Sequence, residues 1–268
     1  MKVIVLADYD AVSKEAARLV EEKIRENDHL VLGLATGATP LGLYENMIDG
    51  FKTRGISYKN VKSINLDEYL GLAKNHPESY HTFMVDKLFS HIDIASANTH
   101  IPDGKPNSVD AECIRYEKVI NRVGPINLQI LGIGSNGHIG FNEPGTDPAS
   151  STHVVELNAS TRKDNAQFFQ SADEVPTHAL TLGIENILKS DEIILLASGK
   201  KKAEAVKTLL EKHVSERFPA SYLWNHPNVT VIVDEDAYQL ATKYLPLNEF
   251  AMQMISQWRL KEPIYRKN

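Results

Sequence analysis

Short runs rich in Val, Ile and Leu recur along the whole chain, and they constrain its fold more than any other feature of the sequence. Amphipathic segments such as SKEAARLVEEKIREN and KKAEAVKTLLEKHV separate most of these runs. Continuous apolar strands that alternate with helices are typical of a parallel sheet covered on both faces. The sequence therefore predicts an α/β fold with an open, mostly parallel sheet and helices on both faces. The runs lie at residues 2–7, 29–35, 61–66, 127–133, 152–157, 192–197 and 229–233.

The charge and composition of the 268-residue chain limit the classes of protein to which it can belong. With 42% hydrophobic and 24% charged residues, it has the usage of an ordinary globular protein. The formal net charge of -6 leaves no basic surface for a run of phosphates, so nucleic acid is not expected as a partner. The first apolar run reaches Asp8 too early for a signal peptide, and no run has the ~18 residues of a membrane-spanning helix. We therefore expect a cytoplasmic protein that does not contact membranes.

The chain has one cysteine and no obvious linker. Cys113 cannot form an internal disulfide, which agrees with a reducing compartment, and its helical pattern predicts a half-buried structural thiol. Because no repeat or shift in composition marks a boundary, residues 1–268 are predicted to form a single domain. Its end, about residues 245–268, is predicted to be an appended helical tail. The aromatic residues of that tail either cover the core or face a partner subunit, which leaves a homo-oligomer open.

Ligands of open parallel sheets bind at the carboxyl ends of the strands, where the loops converge. One such loop follows the run at 127–133 and reads GIGSNGHIGFNEPGT, with a G-x-G-x-x-G pattern at its start. A dinucleotide site needs a helix directly after the third glycine. The glycines and prolines that follow argue against that helix, although Glu156 stands where a ribose-binding acid is expected. The dinucleotide interpretation is therefore weak.

The same loop carries His138 and Glu143, with Asn136 and Asn142 as hydrogen-bonding neighbours. An imidazole oriented by a carboxylate is a standard acid/base pair in enzymes. The alternative is that both side chains are merely solvated, as is common in glycine-rich loops. No second ligand cluster with suitable spacing accompanies them, so no bound metal is expected.

The loop Thr36–Thr39 follows the second apolar run and leads into Pro40. Pro40 suits the first turn of a helix, and Thr39 is expected to be its N-cap. The exposed amides and the two hydroxyls of this loop suit a phosphate group, although the lysine of a nucleoside-triphosphate site is missing. An ordinary capped helix is the alternative.

Charged residues follow two more of the runs. Asp67 and Glu68 come directly after 61–66 and are placed either for proton transfer or to cap the next segment. Lys200–Lys202 follow 192–197 and a glycine. One of these lysines can reach an anion at the end of the sheet, whereas at least one is expected to be solvated.

Taken together in this order, the segments LATGATP, NLDEYLGL, HPESY, GIGSNGHIGFNEPG and SGKKKA resemble the glucosamine-6-phosphate deaminase family, also called the glucosamine-6-phosphate isomerase family. The resemblance extends over roughly residues 1–240, and NLDEY and NGHIGFNEPG are its most specific segments. It implies a single Rossmann-like α/β domain, which phosphogluconolactonases share, and it implies no cofactor.

The resemblance also implies a role for each acid/base residue. Asp67 would be the proton acceptor in enolisation, and His138 would open the sugar ring while Glu143 orients it. Asn136 stands at a position that is Asp in many relatives and Asn in others. A carboxamide cannot take up a proton as a carboxylate can. The resemblance therefore implies the arrangement of the ring-opening relay but not which of its groups carries each proton.

The resemblance places the substrate's phosphate at the loop after the second run and at one lysine. The residues implied are Thr36, Gly37, Ala38, Thr39 and Lys202. Two departures stand out, because Ala38 replaces a glycine that is common in the family and Gln167 replaces an arginine that often contacts the phosphate. Either the phosphate is held more weakly here or another cation, such as Arg162, compensates.

The implied activity converts D-glucosamine 6-phosphate and water into D-fructose 6-phosphate and ammonium, a reaction of amino sugar catabolism. One alternative is a 6-phosphogluconolactonase, which shares the sheet and a related loop. Another is a non-catalytic sugar-phosphate sensor, which would need a DNA-binding or partner module that the sequence does not display. Some members are hexamers activated by N-acetylglucosamine 6-phosphate through basic residues after NEPG. Since TDPASSTHVVEL contains no Lys or Arg, that regulation is not expected here.

Overall fold

The structure is a computed structural model that describes residues 1–242. The tail predicted at about 245–268 lies outside the described residues. The strands are β1 (Lys2–Leu6), β2 (Val31–Leu34), β3 (Lys62–Asn65), β4 (Asp67–Tyr69), β5 (Thr99–His100), β6 (Leu128–Gly132), β7 (His153–Glu156), β8 (His178–Thr181), β9 (Glu192–Ala197) and β10 (Val229–Asp234). The helices are α1 (Tyr9–Glu26), α2 (Leu41–Thr53), α3 (Tyr80–Lys87), α4 (Val109–Val123), α5 (Ala159–Asn165), α6 (Ile184–Leu188), α7 (Ala203–Leu210) and α8 (Glu235–Tyr238).

The main sheet has seven strands in the order β1-β10-β9-β6-β2-β3-β5, and each adjacent pair is parallel. Helices α1, α2 and α3 pack on one face, whereas α4, α6, α7 and α8 pack on the other. Successive residues of a strand enter opposite layers, so in β9 Leu196 lies under α1 and α2 while Leu195 lies under α4 and α7. The predicted α/β fold, with a parallel sheet and helices on both faces, is confirmed.

The sequence pattern predicted that the run at 152–157 joins the main sheet. This prediction is wrong. The run forms β7, which pairs antiparallel with β8 in a second sheet of order β4-β8-β7. A strand that joins a parallel sheet needs a crossover connection, usually a helix, and no helix lies between β6 and β7. The strand is also only partly buried, unlike the central strands of the main sheet. An apolar run indicates a strand but does not specify its partner.

The topology brings two of the polar loops side by side. On one side of β2, the strands β3 and β5 extend to one edge of the sheet. On its other side, β6, β9 and β10 follow in turn towards the opposite edge. Strand order therefore reverses between β2 and β6, and ligands of open α/β sheets bind in the crevice at such a point. Within the described part of the chain, no helix has the length and apolar character needed to cross a membrane.

Candidate active site

Glycines of the loop after β6 make room for two rings. A Cβ on Gly134 would lie 2.3 Å from the imidazole of His138, and one on Gly137 would lie 2.2 Å from the ring of Phe218. Gly137 also has φ +86°, a conformation that side chains rarely adopt. No helix begins in this chain between the end of β6 and α5, so the G-x-G-x-x-G pattern lacks the helix that a dinucleotide site requires. Gly134 instead makes room for the ring of His138, and Gly137 for that of Phe218.

The predicted acid/base residues of this loop form a continuous hydrogen-bonded chain. His138 Nδ1 lies 2.8 Å from Asn136 Oδ1, and Asn136 Nδ2 donates to Glu143 Oε2 at 2.7 Å. The direct separation of His138 Nδ1 and Glu143 Oε2 is 3.7 Å, so Asn136 lies between them as the hydrogen-bonding link. The structure thus brings Asn136, His138 and Glu143 together as the sequence predicted.

The polarity of this chain fixes the tautomer of the histidine. Glu143 can only accept, so Asn136 presents its amide hydrogens to Glu143 and its carbonyl oxygen to His138. The backbone N–H of His138 donates to the same oxygen at 3.2 Å. The hydrogen of His138 therefore resides on Nδ1, which leaves the lone pair of Nε2 as the basic group. Burial and the nearby charge of Lys202 lower the pKa of His138, whereas Glu143 opposes them, and the imidazole is kept neutral.

Glu143 is buried and surrounded by donors. Thr161 Oγ1 donates to its Oε1 at 2.5 Å, and Asn158 Nδ2 donates to its Oε2 at 2.8 Å. Burial alone would raise the pKa of Glu143, but these bonds and the one from Asn136 favour the charged form, and the pKa lies below its usual range. Glu143 is therefore a charged, immobilised carboxylate that orients the relay.

Asp67 has the opposite surroundings. It is the first residue of β4, is only 6% exposed, and accepts no hydrogen bond at its carboxylate from any described residue. Burial, with a smaller contribution from the charge of Glu68, raises the pKa of Asp67 to about 8. Its Oδ2 would lie 3.6 Å from a Cβ on Gly140, two residues after His138, so this carboxylate borders the loop that holds the histidine.

The adjacent acid, Glu68, has a different function in the fold. Its carboxylate accepts the backbone N–H groups of Tyr69, Tyr80 and His81, each at 2.9 Å. Tyr80 and His81 begin α3, so the side chain satisfies the free amides of that helix. Burial raises the pKa of Glu68 to about 7. The sequence left two roles open for this pair, capping and proton transfer. Glu68 caps α3, whereas the unbonded carboxylate of Asp67 suits proton transfer.

The loop after β2 lies beside the histidine loop, because Thr39 Oγ1 lies 3.6 Å from the Cβ position of Gly132. Gly37 has φ +85° and nothing within 4 Å of its Cβ position, so space is open there. The prediction that Thr39 caps α2 is wrong, because the N-cap position is Pro40 and no side chain of that residue caps the helix. Pro40 takes a helical backbone conformation just before Leu41, which moves the helix start one residue on.

Lys202 lies at the entrance to α7, after the turn at Gly199, whose φ is +84°. It is partly buried, whereas Lys200 and Lys201 are exposed. Burial and Lys201 lower the pKa of Lys202, and Asp164 opposes them. Its charge also lowers the pKa of His138. The expected division into one inward lysine and solvated neighbours agrees with the burial of the three side chains.

Two residues are relevant to the missing arginine, Gln167 at its position and Arg162 as a replacement cation. Gln167 is exposed and donates from Nε2 to the Asp164 carbonyl at 2.8 Å. Arg162 Nη2 donates to the Val175 carbonyl at 3.2 Å, whereas its buried Nε has no hydrogen-bond partner among the described residues. Within residues 1–242, no group of three or more His, Cys, Asp or Glu side chains is arranged to hold a metal ion.

Residues 7–232 match the sequence profile of the family described as glucosamine-6-phosphate isomerases/6-phosphogluconolactonase. The chain belongs to this family. Among its members, the chain is 52% identical over 240 residues to the glucosamine-6-phosphate deaminase of Geobacillus sp. (strain WCH70), covering 90% of this chain and 96% of the relative. It is 50% identical over 240 residues to glucosamine-6-phosphate deaminase 1 of Bacillus subtilis (strain 168), covering 90% and 99% of the two chains.

Solved structures of family members agree with the fold. A monomeric glucosamine-6-phosphate deaminase superposes with a TM-score of 0.89 at 50% identity, covering 90% of this chain and all of that one (100%). A 6-phosphogluconolactonase from Trypanosoma cruzi superposes with a TM-score of 0.72 at 19% identity, covering 89% and 96%, and that likeness concerns the fold alone. The Rossmann-like architecture expected from the family resemblance is confirmed.

Three residues of this family member escaped the sequence reasoning. Asn158 and Thr161 hold Glu143, and the hydroxyl of Tyr9 accepts the Gly42 N–H at 2.8 Å, where Thr39 was expected to act. Each acts across 15 to 33 residues of sequence. No periodicity or local spacing signals such a contact, since it depends on how α1, α2 and α5 pack.

Proposed function

We propose that this chain converts D-glucosamine 6-phosphate and water into D-fructose 6-phosphate and ammonium. The observation that carries the proposal is the pairing of two unlike acid/base groups at one end of the sheet. One is a neutral His138 held by the Asn136–Glu143 chain, and the other is the buried, unbonded carboxylate of Asp67. The family membership and the deaminases that are about half identical in sequence support the same reaction.

The phosphate is proposed to bind between the loop Thr36–Thr39 and Lys202. Backbone amides and hydroxyls next to a helix start suit a phosphate dianion, and an ammonium group adds a charge-assisted contact. The loop follows β2, at the point where strand order reverses, and Lys202 follows β9, the strand next to β6. Anchoring this end of the sugar would place its carbon C1 and C2 region near His138 and Asp67, which is the positional contribution that such a reaction needs.

Ring opening is assigned to His138. Its Nε2 accepts the proton of the C1 hydroxyl and returns it to the ring oxygen O5, so the C1–O5 bond breaks and the open aldehyde forms. The Nδ1–H bond to Asn136 and the charge of Glu143 stabilise the transient imidazolium. Asn136 keeps its own protons throughout, so the relay acts by orientation and charge rather than by moving a proton to Glu143.

Enolisation is assigned to Asp67. Its carboxylate removes the proton from C2, while the substrate's own ammonium group gives a proton to O1, so an enolamine forms between C1 and C2; Asp67 then returns its proton to C1. The imine at C2 that results takes up water, and ammonia leaves with a proton as ammonium. The raised pKa of Asp67 makes it a stronger base than an ordinary carboxylate, and this suits removal of a proton from carbon.

All of these groups come from one chain, so the proposed reaction needs no residue of a partner subunit. The solved relative is described as a monomeric deaminase. Analytical ultracentrifugation tests whether this chain also forms a homo-oligomer. The cytoplasmic location stays a prediction.

The direct test is to incubate the purified protein with glucosamine 6-phosphate and to follow ammonium and fructose 6-phosphate together. Equal amounts of the two products are expected. 6-Phosphogluconolactone serves as the control substrate, since the family name includes lactonases. Lactone hydrolysis without release of ammonium from glucosamine 6-phosphate would overturn the proposal.

A further inference from the structure

The loop Thr36–Thr39 has a requirement that its own residues do not meet. In a trans peptide unit the C=O of one residue and the N–H of the next point in opposite directions. Amides that face a ligand therefore direct the preceding carbonyls away from it, and those carbonyls need donors of their own. In a loop that binds phosphate through its amides, the orientation of those amides therefore depends on the groups that donate hydrogen bonds to the carbonyls.

Tyrosine hydroxyls contact three carbonyls at the two ends of the loop, and the Leu41 N–H adds a longer bond of 3.4 Å to the Ala38 carbonyl. Tyr44, on α2, donates to the carbonyl of Ala35, just before the loop. Tyr9, the first residue of α1, lies 3.0 Å from the Ala38 carbonyl and 3.2 Å from the Thr39 carbonyl through its hydroxyl oxygen. The Ala38 carbonyl belongs to the same peptide unit as the Thr39 N–H, so a bond from Tyr9 to that oxygen orients that amide.

The position of Tyr9 is itself fixed from two sides. The preceding residue, Asp8, caps α1 by accepting the Ala11 N–H at 2.8 Å. A Cβ on Gly42 would lie 3.0 Å from Cε1 of Tyr9, so the ring packs against the first turn of α2. The hydroxyl then accepts the Gly42 N–H at 2.8 Å. One oxygen thus joins a helix start and the turn that precedes it.

We propose that Tyr9 is a positioning residue for the substrate's phosphate. Through its hydroxyl it holds the Ala38 peptide unit in the orientation that presents the Thr39 amide to the phosphate, without touching the substrate. It also accepts the Gly42 N–H at the start of α2, in place of the cap that Thr39 does not provide. This inference rests on the proposed function, because it assigns a residue to the phosphate end of that substrate.

The test compares Tyr9→Phe with Tyr58→Phe, which removes a hydroxyl from a buried tyrosine bonded to the same helix. The Tyr58 hydroxyl donates to the Met47 carbonyl of α2 at 3.3 Å, away from the loop. For both variants and the parent protein, KM and kcat are measured with glucosamine 6-phosphate, and inorganic phosphate is titrated as a competitive inhibitor. Tyr9→Phe removes both the hydroxyl's bond to the loop carbonyl and the bond it accepts from Gly42. The variant should therefore raise KM and the inhibition constant of phosphate by roughly five- to tenfold.

The kcat of Tyr9→Phe should stay close to that of the parent. Tyr58→Phe should change neither KM nor the inhibition constant of phosphate. A phosphate inhibition constant that Tyr9→Phe leaves unaltered overturns the inference, as does a loss confined to kcat. The rise in melting temperature on adding inorganic phosphate gives a second readout that needs no turnover and suits a less stable variant. It should be smaller for Tyr9→Phe, and an equal rise in the two proteins would count against Tyr9. If the parent protein has no deaminase activity, the proposed function fails while this binding measurement still judges Tyr9.

Discussion

Two buried carboxylates of the site, Glu143 in the loop after β6 and Asp67 at the start of β4, lie in opposite surroundings. Glu143 accepts side-chain hydrogen bonds from Asn136, Asn158 and Thr161, and its pKa lies below the usual range. Asp67 accepts none from the described residues, and burial raises its pKa to about 8. One carboxylate is stabilised as an anion, whereas the other is destabilised as an anion and is therefore more basic.

This difference separates the two roles in the proposed reaction. Where local surroundings push the pKa values of two acids apart, the groups are suited to different steps. The bonded carboxylate is suited to orient His138, since it keeps its charge and its position. The unbonded one is suited to exchange a proton with substrate, since its charged form is poorly stabilised. Changes that exchange or remove these surroundings therefore test the assignment.

The largest effect is expected from Asp67→Asn. The amide keeps the shape and removes the basic oxygen, so kcat should fall by roughly 2 to 4 orders of magnitude while the substrate still binds. In heavy water, the parent protein should place deuterium at C1 of the fructose 6-phosphate formed, and the variant should place almost none. If the variant deaminates at close to the normal rate, Asp67 is structural and Glu68 becomes the first candidate for the base.

The same variant also has an expected effect on stability. The folded-state pKa of Asp67 is raised above its unfolded value, so its ionisation costs the folded state stability as pH rises from about 4 towards about 8. Asp67→Asn removes that cost. Its melting temperature should exceed that of the parent, and by more at pH 8.5 than at pH 5. A variant that is less stable at both pH values would mean that the carboxylate has partners in the folded protein.

Lys202→Ala is expected to have the next largest effect. A charge-assisted contact contributes roughly 1.5–3 kcal/mol, so kcat/KM for glucosamine 6-phosphate should fall by about 10- to 150-fold. The preference for glucosamine 6-phosphate over free glucosamine should shrink with it. Lys201→Ala removes an exposed neighbouring charge and is the matched control. If Lys202→Ala retains the full preference for the phosphorylated sugar, this lysine is not the anchor.

Thr161→Val tests the bonded side of the comparison. It removes the hydroxyl that donates to Glu143 and keeps the shape, so the variant should lose about 1–3 kcal/mol of stability, measured by denaturant unfolding. It should also lower kcat severalfold, because the relay is held less firmly. Thr152→Val removes a comparable hydroxyl from Glu117 and should cost stability without changing kcat. Equal kcat values for the two variants would separate Glu143 from catalysis.

A smaller effect is expected from Glu68→Gln, read from the pH dependence of kcat/KM. Asp67 must be ionised to act as a base, so activity should rise with pH as this group loses its proton. The charge of Glu68 raises the pKa of Asp67, and removing that charge should move the rising limb to lower pH. Glu117→Gln changes a carboxylate that bonds Thr152 instead and should leave the limb in place. A shift to higher pH would contradict the electrostatic assignment.

No effect at all is expected from N-acetylglucosamine 6-phosphate. Residues 143–147, 150, 153–156 and 158 line a cavity of about 510 Å³. Its charged side chains are Glu143, Asp147 and Glu156, with His153 and no Lys or Arg among the lining residues. Such a lining disfavours a phosphorylated activator. Rate curves should be hyperbolic with and without this compound. Sigmoidal curves that it makes hyperbolic would show that other residues form an activator site.

The main sheet and the position of the site were predictable because their signals are local. Apolar runs indicated the strands of the parallel sheet, and the rule on strand ends selected the loops that carry His138 and Asp67. The same reasoning assigned 152–157 to the wrong sheet, since burial on one face does not reveal the pairing partner. It also assigned the cap of α2 to Thr39, because cap preferences ignore a hydroxyl that arrives from another helix.

By itself, the sequence determined the α/β class, the polar loops at the strand ends and the residue types available there, because the hydrophobic pattern depends on neighbours in the chain. Only the tertiary structure decided how those residues differ from one another. Glu68 has three backbone donors and Asp67 has none, although they are adjacent, because their side chains point to opposite sides of one strand. Whether a buried acid acts as a base or as a structural hydrogen-bond acceptor depends on the donors that folding brings to it from distant segments.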